Sequence, residues 1–258
     1  MPTDKRQRKR QGRQARLEAE RAAALTAARR RRLITTVVAV VGVFAVLLLI
    51  SQTGGDDGDD EVAADEEAAA TAEPALYGET PCAPEDKPDE PVLAFDSPFQ
   101  DCLDEGTDYQ AELTTADGTF TIDLLEDQAP AAVNNFVNLA RSGFYDGSIF
   151  HRVIEDFVAQ GGDPTGARPG TGDPGYSLVD ELPEAGAYEL GSVAMANSGP
   201  DSSGGQFFVV TGQGGIDLDP DYSLFGSVTD GMDVVMAIEL GEPPEEPTVL
   251  ESVEIVEG

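Results

Sequence analysis

The chain has 258 residues, with 16 Lys and Arg against 49 Asp and Glu for a net charge of −33, no Trp, two Cys and one His. From Pro88 onward 3 basic residues face 34 acidic ones, a net of −31 that repels phosphates and excludes nucleic acid as a partner of this region. The whole-chain value hides a division: residues 1–32 carry 12 basic and 3 acidic residues, net +9, and residues 33–258 carry 4 and 46, net −42.

In chain order, residues 1–32 form a basic segment in which Arg13 to Arg32, rich in Ala, Arg and Glu, favours a helix. Its basic face either binds anionic lipid or nucleic acid or serves only to set membrane topology. Leu33 to Ile50 is a run of 18 uncharged, mostly aliphatic residues, which as a helix reaches ~27 Å and just spans a bilayer core. A cleaved signal peptide is the alternative, but its apolar region is ordinarily ~7 to 15 residues and no small-x-small site follows directly. The reading is a single transmembrane helix over 33–51. The Arg29-Arg30-Arg31-Arg32 cluster at its amino end places residues 1–32 in the cytoplasm and the rest of the chain outside the membrane, in contact with the bilayer only through 33–51.

Residues 52–75 are Gly, Asp, Glu and Ala with few side chains large enough to pack, and read as a disordered, self-repelling linker. Residues 76–108 carry recurrent Pro with scattered apolar residues such as Leu76, Val92, Phe95 and Phe99, a strap expected to lie on the following domain. Both cysteines fall here. In an oxidising compartment Cys82 and Cys102 suggest a disulfide, with two free thiols as the alternative. No metal site is expected, since the sole His, His151, is far away in sequence.

The globular domain is expected over 109–258. Ala111 to Thr115 and Thr119 to Leu125 flank Asp117-Gly118, a hairpin signal, and Phe120, Ile122 and Leu124 alternate with polar residues. A helix follows, with Pro130 in its first turn, Val133, Phe136, Val137 and Ala140 on one stripe, and Gly143 as terminator. Short apolar runs come next: Ile149 to Ile154, Phe157 to Gln160, Gly191 to Met195, Phe207 to Thr211 and Ser223 to Val228. A short helix near Met232 to Ile238 and a strand at Val249 to Val256 end the chain. Many short strands with two helices give a mainly β, antiparallel domain.

Chemistry concentrates in two stretches. Ser148 to Asp163 (SIFHRVIEDFVAQGGD) holds one cation, Arg152, between Phe150, Val153 and Ile154, where a guanidinium is costly unless hydrogen-bonded or given a task. Read alone, it is equally a structural Arg paired with a carboxylate. The second stretch is Ser192 to Thr211 (SVAMANSGPDSSGGQFFVVT). Together, and with Tyr222 to Val228 (YSLFGSV), they resemble the cyclophilin family of peptidyl-prolyl isomerases, in the Phe-His-Arg-Val-Ile, Gln-Gly-Gly-Asp, Met-Ala-Asn and Gln-Phe-Phe motifs. The resemblance covers Tyr109 to Val256 and leaves the anchor and linker outside it.

That resemblance implies a closed barrel of eight antiparallel strands with a helix at each end, acting as a monomer without cofactors on proline-containing polypeptides. Arg152 takes the catalytic position, and Phe157, Val158, Phe208, Leu218 and Tyr222 line the slot for the proline ring. Gln160, Gln206, Ala196 and Asn197 hold the substrate backbone. His151 supports Arg152 from beneath, and Gly170 marks the edge of a secondary pocket. Val158 stands where many members have Met, Tyr222 where others have His, and no Trp occupies the segment around Gly214 to Leu218. Two function classes follow: an isomerase for proteins folding outside the cytoplasmic membrane, or a cyclophilin-fold binding module or holdase with little turnover.

Overall fold

The computed structural model describes residues 76–164 and 170–258. The basic segment 1–32, the span 33–51 and the linker 52–75 lie outside the described residues, as does Arg168. One antiparallel sheet organises the domain, built from β1 (Tyr109–Thr115), β2 (Gly118–Leu124), β3 (Ser148–Ile149), β4 (Arg152–Val153), β5 (Val158–Gly161), β6 (Ser192–Met195), β7 (Phe207–Val210), β8 (Leu224–Asp230) and β9 (Val249–Glu257). Their spatial order is β3-β9-β1-β2-β8-β6-β7-β5-β4.

The expectation of eight strands closed on themselves is corrected on two counts. Among the described residues there are nine strands, and the members at the two ends of the order, β3 and β4, do not pair with each other. The run Ile149 to Ile154, expected as one strand, is interrupted at Phe150-His151. Before the break Ile149 pairs with Val249 of β9, and after it Arg152 pairs with Gln160 of β5. Chain continuity between β3 and β4, rather than a ladder, links the two ends of the curled sheet.

Burial along the strands explains their sequence patterns. In β1 and β2 every second residue is buried, including Ala111, Leu113, Phe120 and Ile122, so one face meets water and the pattern alternates. All four residues of β6 and of β7 are buried, because both faces of that part of the sheet are covered. Ala159, Val193, Met195, Phe207 and Val209 point into the main core with Phe136, Tyr145 and Phe225. Their chain neighbours Val158, Ala194, Phe208 and Val210 form a second cluster on the opposite face with Leu224 and Tyr188.

Helix α1 (Pro130–Arg141) packs on the inner face, and residues 131–140 are all buried. Its first turn has no capping side chain of its own. The Glu181 carboxylate accepts instead from the Ala131 and Ala132 N–H groups at 3.1 and 2.8 Å, an anion at the positive helix end. Two further helices among the described residues, α2 (Gln213–Ile216) and α3 (Met232–Ala237), bring the number to three rather than the expected two.

The strap 76–108 explains why α1 can bury Asn134 and Asn138 as well as its apolar stripe. Asn134 Oδ1 accepts from Cys102 N–H at 2.9 Å, Asn134 Nδ2 donates to the Gln100 carbonyl at 2.9 Å, and Asn138 Oδ1 accepts from Ala83 N–H at 2.8 Å. Buried amides with these partners carry little desolvation penalty. Cys82 and Cys102 are joined in a disulfide with Cα atoms 5.5 Å apart, Phe99 is in the main core, and Lys87 pairs with Asp146 at 2.9 Å and Glu254 at 3.0 Å.

Candidate active site

The site lies on the outer face, where cross-strand pairing sets one row of residues side by side. Arg152 is opposite Gln160, Gln160 opposite Phe208, Phe208 opposite Ala194, and Ala194 opposite Leu224. Paired residues share a face, so one end of the row is polar and the other apolar. At the polar end Arg152 Nη1 donates to Gln160 Oε1 at 3.4 Å, and Gln160 Nε2 donates to Gln206 Oε1 at 3.2 Å. Gln206 Nε2 continues the chain to the Gly172 carbonyl at 2.9 Å. The guanidinium carbon stands 5.5 Å from the centroid of the Phe157 ring, within cation–π range. Arg152 Nε donates to Glu242 Oε1 at 2.9 Å.

The apolar end is a slot floored by Val158, Ala194, Phe208 and Val210 and flanked by half-buried Phe157, Ala196, Leu218 and Tyr222. Phe208 and Tyr222 meet edge to face, 5.2 Å between centroids at 88°. Leu218 arrives on the turn after α2, which lies against the main chain of Phe157: a Cβ at Gly215 would come within 2.5 Å of the Phe157 carbonyl oxygen, so only glycine fits. Behind the rim, the Tyr188 hydroxyl donates to the Tyr222 carbonyl at 2.7 Å and accepts from Tyr222 N–H at 3.1 Å. Burial pushes the Tyr188 phenol up to about 12, which keeps it a donor at neutral pH.

A cavity of about 460 Å³ opens beside the slot and shares Gln160, Ala196, Asn197 and Gln206 with it. Its far wall includes Gly170, Gly172, Asp173 and Tyr176. Asn197 commits its side chain to the Asp221 carbonyl at 2.8 Å, and Ala196 N–H donates to the Gln206 carbonyl at 2.9 Å. His151 is buried, and its imidazole lies against Gly170, where an added Cβ would fall 2.9 Å from Cδ2 and Nε2. Burial lowers its pKa, against the opposing pull of Asp163, and Nδ1 is enclosed without a hydrogen bond of ordinary geometry.

All the residues singled out from the sequence for the site therefore fall on one outer region: Arg152, Phe157, Val158, Gln160, Ala196, Asn197, Gln206, Phe208, Leu218 and Tyr222 around the row, and His151 with Gly170 on the cavity side. Glu242 and Tyr188 were not singled out. Each comes from a distant segment, and one acidic residue among 49, or one Tyr among 6, gives no local signal.

A guanidinium held by the Gln160 amide and the Glu242 carboxylate beside an apolar slot of side-chain size suits a site that binds an extended polypeptide. Residues 110–257 match the family model described as cyclophilin type peptidyl-prolyl cis-trans isomerase/CLD. A peptidyl-prolyl cis-trans isomerase-like 1 of Rhizopus delemar is 45% identical over 125 residues, covering 48% of this chain and 75% of the relative. A peptidyl-prolyl cis-trans isomerase of Helicobacter pylori is 41% identical over 138 residues, covering 51% and 81%. Among solved structures, a Cryptosporidium parvum cyclophilin-type isomerase superposes with TM-score 0.52 at 29% identity, covering 58% of this chain and 98% of its own. The same enzyme in the presence of the dipeptide Ala-Pro gives TM-score 0.51 at 30% identity, covering 57% and 98%. The chain belongs to the cyclophilin-type peptidyl-prolyl cis-trans isomerase family.

Proposed function

We propose that the domain isomerises Xaa-Pro bonds in polypeptides folding beyond the cytoplasmic membrane, with Arg152 as the catalytic residue. The barrier to rotation, about 18–20 kcal/mol, comes from delocalisation of the amide nitrogen lone pair into the carbonyl. The outer slot of Phe157, Val158, Phe208, Leu218 and Tyr222 takes the proline ring, while Gln160 and the main chain at Asn197 hold the flanking backbone. Arg152 then hydrogen-bonds the amide more strongly when it is twisted and its lone pair localised than when it is planar. That difference is what lowers the barrier, and no proton has to move. The Arg152-Gln160-Phe208 row, a cation next to an apolar slot, carries this reading, and the solved relative studied with Ala-Pro supports the substrate class. The location rests on the charge step across Leu33 to Ile50.

In the test, Arg152→Ala lowers kcat on a proline peptide by roughly ten- to a hundredfold with KM little changed, the loss of a charged hydrogen bond of about 1.5–3 kcal/mol. Arg152→Lys restores little, because an ammonium lacks the planar fork. A normally folded Arg152→Ala variant turning over at the parent rate would overturn the mechanism and favour a binding module. A reporter fused after Gly258 that proved cytoplasmic would overturn the location.

A further inference from the structure

Glu242 holds Arg152 in a way that an ordinary surface ion pair does not. Its side chain is 58% exposed and that of Arg152 36%, so two flexible side chains alone would gain little from pairing. The backbone supplies the missing constraint. Gly241, next to Glu242, pairs with Val153, next to Arg152: Val153 N–H donates to the Gly241 carbonyl at 2.8 Å, and Gly241 N–H donates to the Val153 carbonyl at 2.9 Å. The segment thus extends the sheet by one bridge beyond β4 and delivers the carboxylate to Nε at 2.9 Å.

The guanidinium has five N–H donors in a rigid plane. Glu242 takes Nε–H and Gln160 accepts from Nη1, while Phe157 lies within reach of the carbon. Two contacts on different nitrogens restrain both the position and the rotation of that plane, and the remaining donors stay for a substrate. A carboxylate beside a catalytic cation could instead weaken it by neutralising its charge. A twisting amide carries no net charge, however, so it draws on directed hydrogen bonds more than on the field of a cation, and orientation outweighs neutralisation.

We propose that Glu242 is a positioning residue for the isomerase reaction, acting through the Nε–H of Arg152. This rests on the reading of Arg152 as the catalytic residue. The experiment measures kcat and KM on a proline peptide for the full-length chain carrying Glu242→Ala, Glu242→Gln or Glu242→Asp, each with and without Arg152→Ala, and with circular dichroism and melting to confirm folding. Glu242→Ala lowers kcat about three- to fivefold with KM within about twofold, the scale of one exposed charged contact. Glu242→Gln keeps an acceptor at the same reach and retains most of the rate. Glu242→Asp keeps the charge but falls short, and loses nearly as much as Glu242→Ala. In the Arg152→Ala background none of the three changes the residual rate, because the group they position is gone.

An unchanged or raised kcat in Glu242→Ala overturns the proposal, as does Glu242→Asp matching or exceeding Glu242→Gln, or a loss that persists undiminished in the Arg152→Ala background. If Glu242→Ala does not fold, the contrast between Glu242→Gln and Glu242→Asp decides alone. Arg152→Ala at the parent rate would remove the catalytic reading itself, whereas an impaired Arg152→Ala with an unaffected Glu242→Ala removes only the inference about Glu242.

Discussion

The two faces of β5, β6 and β7 are built from the same residue types but end differently. Phe207, Val209, Val193 and Met195 face inward and are fully buried beneath α1, with the Phe207 ring edge-on to Phe136 and Tyr145 at 5.7 Å each. Phe208, Val158, Ala194 and Val210 face outward and are buried as well, but beneath Phe157, Leu218 and Tyr222, which are themselves only half-buried. The inner face is closed by the chain itself. The outer one is closed only by that thin rim of half-buried side chains, with Arg152 and Gln160 at its edge. Apolar content alone does not separate a stability surface from a binding surface. What separates them is the depth of the cover, a packed helix on one side and a single layer of rim side chains on the other.

The neighbouring pair Phe207 and Phe208 gives the strongest way to break this distinction. Phe207→Ala opens a cavity inside close-packed rings and lowers unfolding free energy by about 3–5 kcal/mol. Phe208→Ala leaves a gap that water can enter from the groove, costs less than half as much, and raises KM for a proline peptide because the slot loses its floor. Chemical denaturation and steady-state kinetics on both variants check this. Equal losses of stability, or a KM unmoved in Phe208→Ala, would show that the outer face is a second core rather than a site.

The strap sharpens the comparison, since among the described residues it packs on the inner core and on Pro174 and Tyr176 beside the cavity but not on the slot cluster. Phe99 packs in the core, while Phe95 N–H donates to the Pro174 carbonyl at 2.7 Å and the Phe95 ring lies 6.4 Å from that of Tyr176 on the cavity wall. Replacing Cys82 and Cys102 together by Ser frees a loop with a sequence separation of 20 and lowers stability by about 3 kcal/mol in the chain-entropy treatment. KM for a short peptide confined to the slot stays unchanged, and KM for a longer one reaching the cavity rises. Calorimetry and kinetics with the two substrates read both effects. A rise for the short peptide as well would mean that the strap supports the slot too.

How much of this was legible in the sequence follows from where each signal is encoded. The β1–β2 hairpin and α1 are written locally, in Asp117-Gly118, in the alternation about Phe120 and in Pro130 with Gly143, and the structure reproduces them to within about two residues. The break at Phe150-His151 is not local. It marks where one apolar run changes partners from β9 to β5, which no periodicity in Ile149 to Ile154 records, and it is why one expected strand became two. Helix α2 was hidden by Gly214 and Gly215, poor helix formers retained here because the turn lies against the Phe157 backbone. Arg152, Phe208 and the rest of the row were legible through family motifs. Glu242 and Tyr188 make tertiary contacts with residues 90 and 34 positions away, and only the folded chain reveals such partners.

A smaller effect is expected at the rim. Tyr188→Phe removes the hydroxyl that holds both main-chain groups of Tyr222. Because half-buried Tyr222 can turn its freed groups to water, the cost is about 1 kcal/mol rather than the penalty of an enclosed orphan. That corresponds to roughly a fivefold rise in KM as the rim loosens, with kcat kept because Arg152 is untouched. A kcat that falls while KM stays constant would assign Tyr188 to the chemistry rather than the rim.

The smallest expected effect belongs to His151, at the joint between β3 and β4. Burial lowers its folded pKa below the ordinary imidazole value, so on acidification the unfolded chain takes up this proton first. The neutral-His contribution is present above about pH 6.5, the unfolded value, and is lost as pH falls from there through the lower folded pKa. Glu181 and Glu126 act in the opposite sense. Burial raises both above the ordinary carboxylate value, so the folded state holds their protons more tightly and gains stability as pH falls. They are common to the parent chain and a His151→Gln variant, so the difference between the two isolates the imidazole. Between about pH 7.5 and 5.5 the parent's melting temperature should fall further than the variant's, at most by the roughly 1.4 kcal/mol per pH unit that one proton allows. Because the proposed chemistry moves no proton, kcat of the parent should not follow this titration. Parallel melting curves would mean that His151 is solvated in the fold, and a kcat that followed the imidazole would return it to the reaction as an acid or base.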